Sequence, residues 1–358
     1  MVELVYEDLI LNQKKLLISM MGRVKNRINR IRKRIRKTKY RMKQTKSYAQ
    51  EIGLPKGEWI KVYIDFLITH YYYGFSPDDY FVKGNGYTLS RYEKKRFFTL
   101  KRAFWLQDHV NNPEYIHLIE NKAEALNLFK DLVSRAWLYA PKSSFGEFMD
   151  FIKKTPVFLS KPVGGMCGEG IEKHSTSESS EDDLKALYNH LVSGNMLLEE
   201  CIKAHDDIYL GTTALSTFRI YTMIDRKGEV QILKAKYRVG TGDAITDTAD
   251  GCVAYPISIK YGVIEGPGIN EVLNSKQYFY HPNCDKLVVG MKIPMWDRTL
   301  EVVKRAAKMI PQVRYIGWDV AITNNSVEII EGNHNPYHGT FEIMGIERLW
   351  WPKLRALV

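Results

Sequence analysis

Two carboxylates and an amide near the end of the chain have the spacing of a metal site. Asp319 lies in one apolar run, and Glu331 and Asn333 lie in the next, with an Asn-Asn-Ser turn between the runs. If this turn centres on Asn325, Asp319 faces Glu331 across a hairpin, and Asn333 follows on the same face because strand side chains alternate. Facing carboxylates repel each other without a cation, whereas hard oxygen ligands at this spacing suit a magnesium ion on phosphates. The residues therefore favour a magnesium site over a solvated hairpin face.

A lysine followed by glycines forms a second candidate site. Lys161 ends an apolar strand. The stretch behind it contains four glycines, which are Gly164, Gly165, Gly168 and Gly170. Glycine lets backbone N–H groups approach phosphate oxygens, and a lysine on the neighbouring strand adds positive charge. The spacing matches neither the P-loop nor the dinucleotide-binding glycine motif, so an ordinary glycine turn is the alternative interpretation.

Further charged residues follow on predicted strands. Glu199 and Glu200 end an apolar strand in the segment LLEECI, where surface glutamates at a strand end are the simpler interpretation. Arg219, Lys236 and Arg238 alternate with apolar residues on the next two strands. At least one of these cations faces inward if the other face of the sheet is exposed. An inward arginine in a cleft binds phosphate or carboxylate.

The elements that position these residues change character along the chain. Helical patterns dominate the first third, with helices predicted over residues 59–72 and from a Ser90–Glu93 capping box through Trp105. Strand patterns follow after about residue 150. The predicted strands cover residues 156–159, 196–198, 217–224, 230–237, 253–259, 316–323 and 327–333, with helices over 184–191 and 299–309.

Composition excludes several classes of protein. The 358 residues, 45% hydrophobic and 26% charged, predict a globular protein of two or three domains, not a disulfide-stapled module or a disordered chain. The four cysteines contain no C-x-x-C pair, which predicts reduced thiols in a cytoplasmic protein. Acidic residues near the N-terminus argue against a signal peptide, and the lack of an 18-residue apolar window argues against a transmembrane helix.

Positive charge is concentrated in residues 14–46, which contain fifteen lysines or arginines and no acidic residue. Subtracting these fifteen charges from the net charge of +11 leaves −4 for the rest of the chain. Apolar residues recur every three or four positions from Leu17 to Met42, which predicts a basic amphipathic helix. This helix suits packing on its own protein, an anionic membrane surface or an acidic polymer. Nucleic acid is unlikely as a partner, since the stripe lacks aromatic residues that stack on bases.

The order of these motifs resembles the ATP-grasp superfamily, and within it the sugar-transfer-associated ATP-grasp proteins, which are related to glutamate ligases. The resemblance covers residues 119–340 and rests on the glycine loop after Lys161, LLEECI, STFRIYTMI, YRVG, GWDVAIT and IIEGNHNP. It implies an α+β ATP-grasp fold in which two α+β lobes clamp ATP, preceded by a helical N-terminal region. The implied regions are a helical segment, a central lobe with the glycine-rich loop and a C-terminal lobe with the magnesium site, at residues 1–115, 116–201 and 202–358.

The resemblance also implies roles for individual residues. The magnesium ligands would be Asp319, Glu331 and Asn333. The lysines that reach the ATP phosphates would be Lys161 and Lys122. The adenine slot and the ribose contacts would be Glu199, Glu200, Cys201 and Ile202, with His205 or Asp206 on the ribose. The catalytic cations near the γ-phosphate and the acceptor would be Arg219, Arg238 and Lys236.

The activity implied by the resemblance is an ATP-dependent carboxylate-amine ligase with ATP and Mg²⁺ as cofactors. Such an enzyme phosphorylates a carboxylate, and an amine then attacks the acyl phosphate to form an amide. The expected carboxylate belongs to a sugar or surface-polysaccharide precursor, the expected amine to an amino acid or amino sugar, and the expected location is the cytoplasm or the inner face of the membrane. A kinase that stops after phosphoryl transfer is one alternative. A membrane-docked scaffold is disfavoured because each metal-ligand position carries a competent residue.

Overall fold

The computed structural model describes residues 36, 39, 40, 42–51, 53–55, 57–83, 86–164, 169–241, 252–270, 276–345 and 347–358. The chain divides into two compact units, residues 1–72 and residues 73–358. Most of the predicted basic helix lies outside the described residues. Those of its positions that are described are α-helical, and this helix continues to residue 51.

The first unit is helical in its described part. Helix α1 (Glu58–Tyr73) confirms the helix predicted over residues 59–72 and runs to the boundary with the second unit. None of the helices among the described residues is long and apolar enough to cross a membrane.

The second unit contains nine further α-helices among its described residues. They are α2 (Arg91–Arg96), α3 (Leu100–Val110), α4 (His117–Glu120), α5 (Lys122–Leu128), α6 (Phe145–Lys154), α7 (Glu181–Ser193), α8 (Trp296–Met309), α9 (Thr340–Ile343) and α10 (Trp351–Leu357). A short π-helix (Asp79–Lys83) precedes α2. Helices α7 and α8 confirm the two helices predicted over residues 184–191 and 299–309, each with a longer extent.

The helix predicted from Ser90 through Trp105 is wrong in its extent. The Ser90–Glu93 capping box is present and opens α2, but the chain becomes extended at Phe97, and Thr99 caps a new helix, α3. Tertiary contacts cause the break. The backbone N–H of Phe98 donates to the buried carboxylate of Glu342 at 2.7 Å, and the Phe98 ring is fully buried. A continuous helix would use that N–H within the helix and lose the contact.

The smaller sheet has four antiparallel strands. They are β1 (Trp137–Tyr139), β2 (Val157–Pro162), β3 (Glu172–Ser175) and β4 (Met196–Glu200). Their order is β1-β4-β2-β3. Helices α6 and α7 cover one face through a core that includes Phe148, Phe158 and Leu198. The alternation of strand side chains places Lys161 and Glu199 on the opposite face, beside α5.

The larger sheet has eight antiparallel strands. They are β5 (Thr217–Ile224), β6 (Val230–Gly240), β7 (Cys252–Ser258), β8 (Val263–Ile264), β9 (Gly268–Ile269), β10 (Gln277–Tyr278), β11 (Tyr315–Ile322) and β12 (Val327–Asn333). The order is β10-β9-β7-β6-β5-β11-β12, with β8 on β7. Helix α8 packs on one face against Phe218, Trp318 and other core residues. The two sheets and their helices confirm the predicted α+β class.

On the other face of the larger sheet, apolar and charged residues occupy different parts. Tyr221, Met223 and Tyr315 pack against α3 and α10. Asp319 and Arg219, which lie on the same face farther along the strands, are mostly buried but carry the charges of the candidate site. This division leaves the charged part of the sheet to bind ligands, because the helices cover the apolar part.

Gly317 allows a close approach beside this charged part. A Cβ atom at position 317 would lie 2.5 Å from Cβ of Pro336, which follows β12, and 3.2 Å from Cδ of Arg219. We expect Gly317→Ala to lower the free energy of unfolding by about 1–3 kcal/mol, as overpacking does in a buried position. Chemical denaturation measures the change.

Gly146→Ala is the matched control for this prediction. A Cβ there, in the first turn of α6, would have Ser144 Oγ as its nearest neighbour at 3.8 Å. Because alanine also favours the helix, we expect an unchanged or slightly higher stability. Equal effects of the two substitutions would contradict the close packing at Gly317.

Candidate functional site

The β11–β12 hairpin brings the predicted metal ligands together. Asp319 pairs directly with Glu331, as predicted, and Asn333 pairs with Gly317 on the same face. The predicted centre of the turn at Asn325 is wrong, because Ile322 pairs with Val327 and the turn centres between residues 324 and 325. An extra residue in β12, a β-bulge next to Glu331, shifts the register and restores the predicted pair.

The three side chains form a compact set of oxygen donors. The Asn333 amide nitrogen lies 3.1 Å from Glu331 Oε1 and 3.5 Å from Asp319 Oδ2, so the amide touches both carboxylates. Among the described residues, this set included, no group of three or more His, Cys, Asp or Glu side chains is arranged to hold a metal ion, and the set here consists of two carboxylates and one amide. Two carboxylates and one amide oxygen fit a hard divalent cation such as Mg²⁺.

Arg219 neutralises Asp319 from the neighbouring strand. Its Nη2 donates to Asp319 Oδ2 at 2.6 Å and its Nε donates to Oδ1, which makes a bidentate pair. Burial opposes the ionisation of Asp319, but the charge and hydrogen bonds of Arg219 hold the pKa of Asp319 below its ordinary value. Burial and the charge of Asp319 instead raise the pKa of Glu331. Of the two carboxyls, Glu331 is thus the one whose ionisation a bound cation would favour most.

The predicted catalytic cations lie on adjacent strands. Arg219 pairs with Lys236 across β5 and β6, and Arg238 Nη1 lies 4.0 Å from Asp319 Oδ1. Lys236 is 3% exposed and its Nζ donates to Thr340 Oγ1 at 2.9 Å. Both arginines therefore lie at the carboxylate set, whereas Lys236 contacts the segment that covers the sheet after β12.

On the smaller sheet, Lys161 and Glu199 form a buried ion pair. The Lys161 ammonium contacts Glu199 Oε2, and Arg135 binds the other oxygen of the same carboxylate, with Nη2 at 2.6 Å and Nε at 2.9 Å. Burial opposes the ionisation of Glu199, but these two cations lower its pKa from 4.5 to about 2. Glu199, predicted for the adenine slot, is thus an ion-pair partner of the predicted phosphate lysine.

Lys122 lies at the predicted phosphate site and close to the β11–β12 hairpin. Asn121 caps α5 and Lys122 is its first residue, with its backbone N–H bonded to Val163 O beside the glycine-rich stretch. Burial lowers the pKa of Lys122, Glu331 acts to raise it, and Lys161 acts to lower it further. Helix α5 also contacts β12, so Lys122 lies near the strand that carries Glu331.

The glycine-rich stretch joins β2 to β3. A Cβ at Gly164 would meet nothing within 4 Å, so this position is open. Gly170 has a φ of +73°, and a Cβ there would lie 2.9 Å from Pro162 Cγ. Gly165 and Gly168 lie outside the described residues. Gly170 therefore has a backbone conformation that favours glycine, and Gly164 has open space beside it.

The remaining predicted nucleotide contacts lie at the end of β4 and directly after it. Glu200 accepts a hydrogen bond from the backbone N–H of Ala136 at 2.9 Å. Cys201 is half-buried, and burial raises the pKa of its thiol. Ile202 lies beside it and is also half-buried. These residues lie where β4 ends, and their contacts with adenine stay a prediction.

The predicted ribose contacts form hydrogen bonds with the β11–β12 hairpin. The backbone N–H of His205 donates to Ile322 O at 2.8 Å, and the Asp206 carboxylate accepts from Asn324 Nδ2 at 2.9 Å in the β11–β12 turn. The segment after β4 is therefore fixed to the larger sheet.

Arg135 and Glu328 are site residues that the motifs did not indicate. Arg135 lies just before β1, and its partners Glu199 and Glu328 are 64 and 193 positions away in the chain. A local pattern cannot reveal contacts over such separations. The sequence contained only a weak signal for Glu328, which lies three positions before Glu331. Two acidic residues at this spacing share a face of a strand only when the strand contains an extra residue, as β12 does.

Two opposed antiparallel sheets, one with a lysine and a glycine turn and the other with two carboxylates and an asparagine, define an ATP-grasp protein. The model of the sugar-transfer associated ATP-grasp family matches residues 101–351, and the chain belongs to this family. The predicted fold and the predicted binding of ATP are confirmed at this level.

This chain is also similar to several solved structures. ATP-grasp ligase PsnB with a minimal precursor has 17% identity and a TM-score of 0.41 over 69% of this chain and 62% of that one. N5-carboxyaminoimidazole ribonucleotide synthetase with ADP has 11% identity and a TM-score of 0.44 over 72% and 57%. D-alanine-D-alanine ligase from Coxiella burnetii has 11% identity and a TM-score of 0.38 over 68% and 54%. This chain thus spans less than two thirds of each. No curated protein sequence matches it.

Glu199→Gln should destabilise the protein by about 3 kcal/mol at pH 7, because it leaves two buried cations without their carboxylate. The pKa of Glu199 is lowered to about 2, so its stabilising contribution is present above pH 4.5 and is lost as the pH falls through 2. The stability difference between wild type and variant should therefore shrink from pH 7 to pH 3. Urea denaturation at both pH values measures it.

Glu200→Gln serves as the control for this prediction, since the Glu200 carboxylate accepts a backbone hydrogen bond that glutamine can also accept. We expect a change below about 1 kcal/mol. If Glu199→Gln is as mild as this control, the buried ion pair is not formed in solution.

Proposed function

We propose that this protein is an ATP-dependent ligase that joins a carboxylate to an amine. The observation that carries the proposal is that two routes connect the predicted phosphate lysines to β12, the strand of Glu331. The helix that begins at Lys122 contacts β12, and a line of buried ion pairs runs from Lys161 through Glu199 and Arg135 to Glu328. Phosphoryl transfer needs positioning and charge neutralisation more than it needs a nucleophilic side chain. Two lysines and an arginine-supported carboxylate set provide both.

In the proposed reaction, Lys122 and Lys161 bind the ATP phosphates, while Asp319, Glu331 and Asn333 hold the metal. Bound Mg²⁺ supplies neutralisation of the phosphate charge. A carboxylate oxygen of the substrate attacks the γ-phosphorus, and the bond to ADP breaks. The amine nitrogen then attacks the carbonyl carbon of the acyl phosphate, inorganic phosphate leaves with the electron pair, and the amine proton passes to solvent. The products are an amide, ADP and phosphate.

The arginines define the acceptor end of the proposed site. Arg219 holds Asp319 in place through its bidentate pair, and Arg238 lies beside the same carboxylate. We assign Arg238 to the substrate carboxylate and the transferred phosphoryl group, since a guanidinium binds both in bidentate geometry. The family's association with sugar transfer supports a carboxylate carried by a sugar or a surface-polysaccharide precursor.

Glu331→Gln should lower ATP turnover by about a hundredfold or more, because it removes a metal-binding charge at the site of phosphoryl transfer. Glu229→Gln, at an exposed position with a 4.0 Å contact to Lys308, is the control and should keep the wild-type rate. Release of ADP is measured with panels of carboxylates, each with and without amines. Wild-type turnover in Glu331→Gln would refute the metal role.

The same assay separates a ligase from a kinase. A ligase releases ADP and phosphate together and forms an amide when both substrates are present. ADP release that needs no amine, with a stable phosphorylated product and no amide, would favour the kinase instead.

We also propose that the first unit docks on an anionic membrane, which is one of the three alternatives that the sequence left open for residues 14–46. Helix α1 exposes a stripe of large apolar side chains, each at least half exposed, which are Ile60, Ile64, Ile68, Tyr71 and Tyr72. The preceding helix exposes Arg36, Lys39, Lys43 and Lys46. Exposed apolar side chains beside a basic segment support insertion into a lipid surface that carries negative charge. Pairing of two copies through this stripe would bring two basic segments together and is opposed by their repulsion.

Reversing Lys39, Lys43 and Lys46 to glutamate should weaken binding to phosphatidylserine vesicles, because each basic residue near such a surface contributes on the order of 1 kcal/mol. Co-sedimentation measures the bound fraction, and salt should release the wild type by screening. Reversal of Lys153 and Lys185, which are exposed in the second unit, is the control. Equal binding of both variants would reject the membrane surface, and self-association at low salt would favour pairing of copies.

A further inference from the structure

A chain of four buried charges connects the two sheets. Lys161, Glu199, Arg135 and Glu328 follow one another with alternating sign, and their side chains are 10%, 7%, 2% and 1% exposed. Lys161 and Glu199 belong to the smaller sheet, and Glu328 belongs to β12 of the larger sheet. Arg135 is therefore the link between the predicted phosphate lysine and the strand that carries the metal ligands.

Arg135 uses the full width of its guanidinium in this link. Nε and Nη2 bind Glu199 Oε1, while Nη1 donates to Ile329 O at 2.8 Å and lies 3.4 Å from Glu328 Oε2. Ile329 lies at the bulge, two positions before Glu331. A planar group with five donors makes these contacts at once, and a single ammonium does not.

The carboxylate of Glu199 is divided between two cations. Arg135 takes Oε1 and the Lys161 ammonium takes Oε2. Arg135 neutralises part of the negative charge of the Glu199 carboxylate. Glu199 therefore orients the Lys161 ammonium and leaves part of its positive charge to attract a phosphate. Without Arg135, Lys161 would be the main counterion of a buried carboxylate and would bind phosphate less well.

We propose that Arg135 is a positioning residue for nucleotide binding: it holds Glu199 so that Lys161 faces the phosphates, and it fixes this lysine relative to the metal-binding strand. The inference rests on the proposed phosphate role of Lys161. Stability alone is a weak reason for such a chain, since well-packed apolar residues commonly replace buried ion pairs without loss. The chain of charges begins at Lys161, the predicted phosphate lysine, and ends at Glu328, on the strand of Glu331. This position favours a role in nucleotide binding.

The test is a double-mutant cycle on the affinity of the full chain for a non-hydrolysable ATP analogue with Mg²⁺, measured by calorimetry. Arg135→Lys keeps the charge but loses the bridge, and it should weaken binding about tenfold, the size of one coupled charge pair. In a Lys161→Ala background, the same substitution should change affinity less than about twofold, because Arg135 acts through Lys161. A merely structural arginine would give equal losses in both backgrounds.

Two further variants keep the result interpretable. Arg314→Lys is the matched control, since Arg314 binds the carbonyls of Ile224 and Leu357 away from the charged residues. It should leave nucleotide affinity unchanged. If Arg135→Lys does not fold, the charge-balanced pair Arg135→Gln with Glu328→Gln removes one charge of each sign and should weaken binding in the same direction.

The outcomes separate the two proposals. Unchanged affinity in Lys161→Ala would refute the phosphate role of Lys161 itself. A loss in Lys161→Ala together with wild-type affinity in folded Arg135→Lys, or with equal losses in both backgrounds, would overturn the role of Arg135 and leave that of Lys161 standing.

Discussion

Charge neutralisation in a buried cleft is the constraint on which the rest of this structure depends. Asp319, Glu199 and Glu328 are almost fully buried, and an isolated carboxylate in such a position is too costly to stay ionised. Each one is therefore matched by a cation from another strand or segment, with Arg219 on Asp319 and Arg135 on the other two. These pairs require the strands to lie side by side in one register. The sheets therefore serve to bring charges together as well as to bury apolar surface.

Small backbone features adapt the larger sheet to this purpose. The bulge in β12 turns Glu328 and Glu331 to the same face although they are three positions apart, so one strand carries both a partner of Arg135 and a predicted metal ligand. Gly317, which pairs with Asn333, leaves room for the side chain of Pro336. The site thus depends on one inserted residue and one missing side chain.

In the second unit, apolar packing and charged residues occupy different parts of the two sheets. Helices α6, α7 and α8 cover one face of each sheet with apolar cores, and the buried ion pairs lie on part of the opposite faces. An enzyme that transfers phosphoryl groups benefits from this arrangement, because fixed charges need no reorganisation during reaction. In the proposed function, Lys122 and Lys161 would together attract a polyanion more strongly than either lysine alone.

The sequence by itself determined the elements whose signals are local. The strand alternation around Asp319, the capping box at Ser90 and the lysine before a glycine stretch are each encoded within about ten residues, and the structure contains all three. Only the tertiary structure decided that the helix after Ser90 ends before Phe97. It also decided that Glu199 pairs with Lys161 and that Arg135 connects the two sheets. These features depend on partners dozens to hundreds of positions away. Sequence periodicity specifies which face of an element is buried, but the identity of a buried charge's partner follows from how the elements pack.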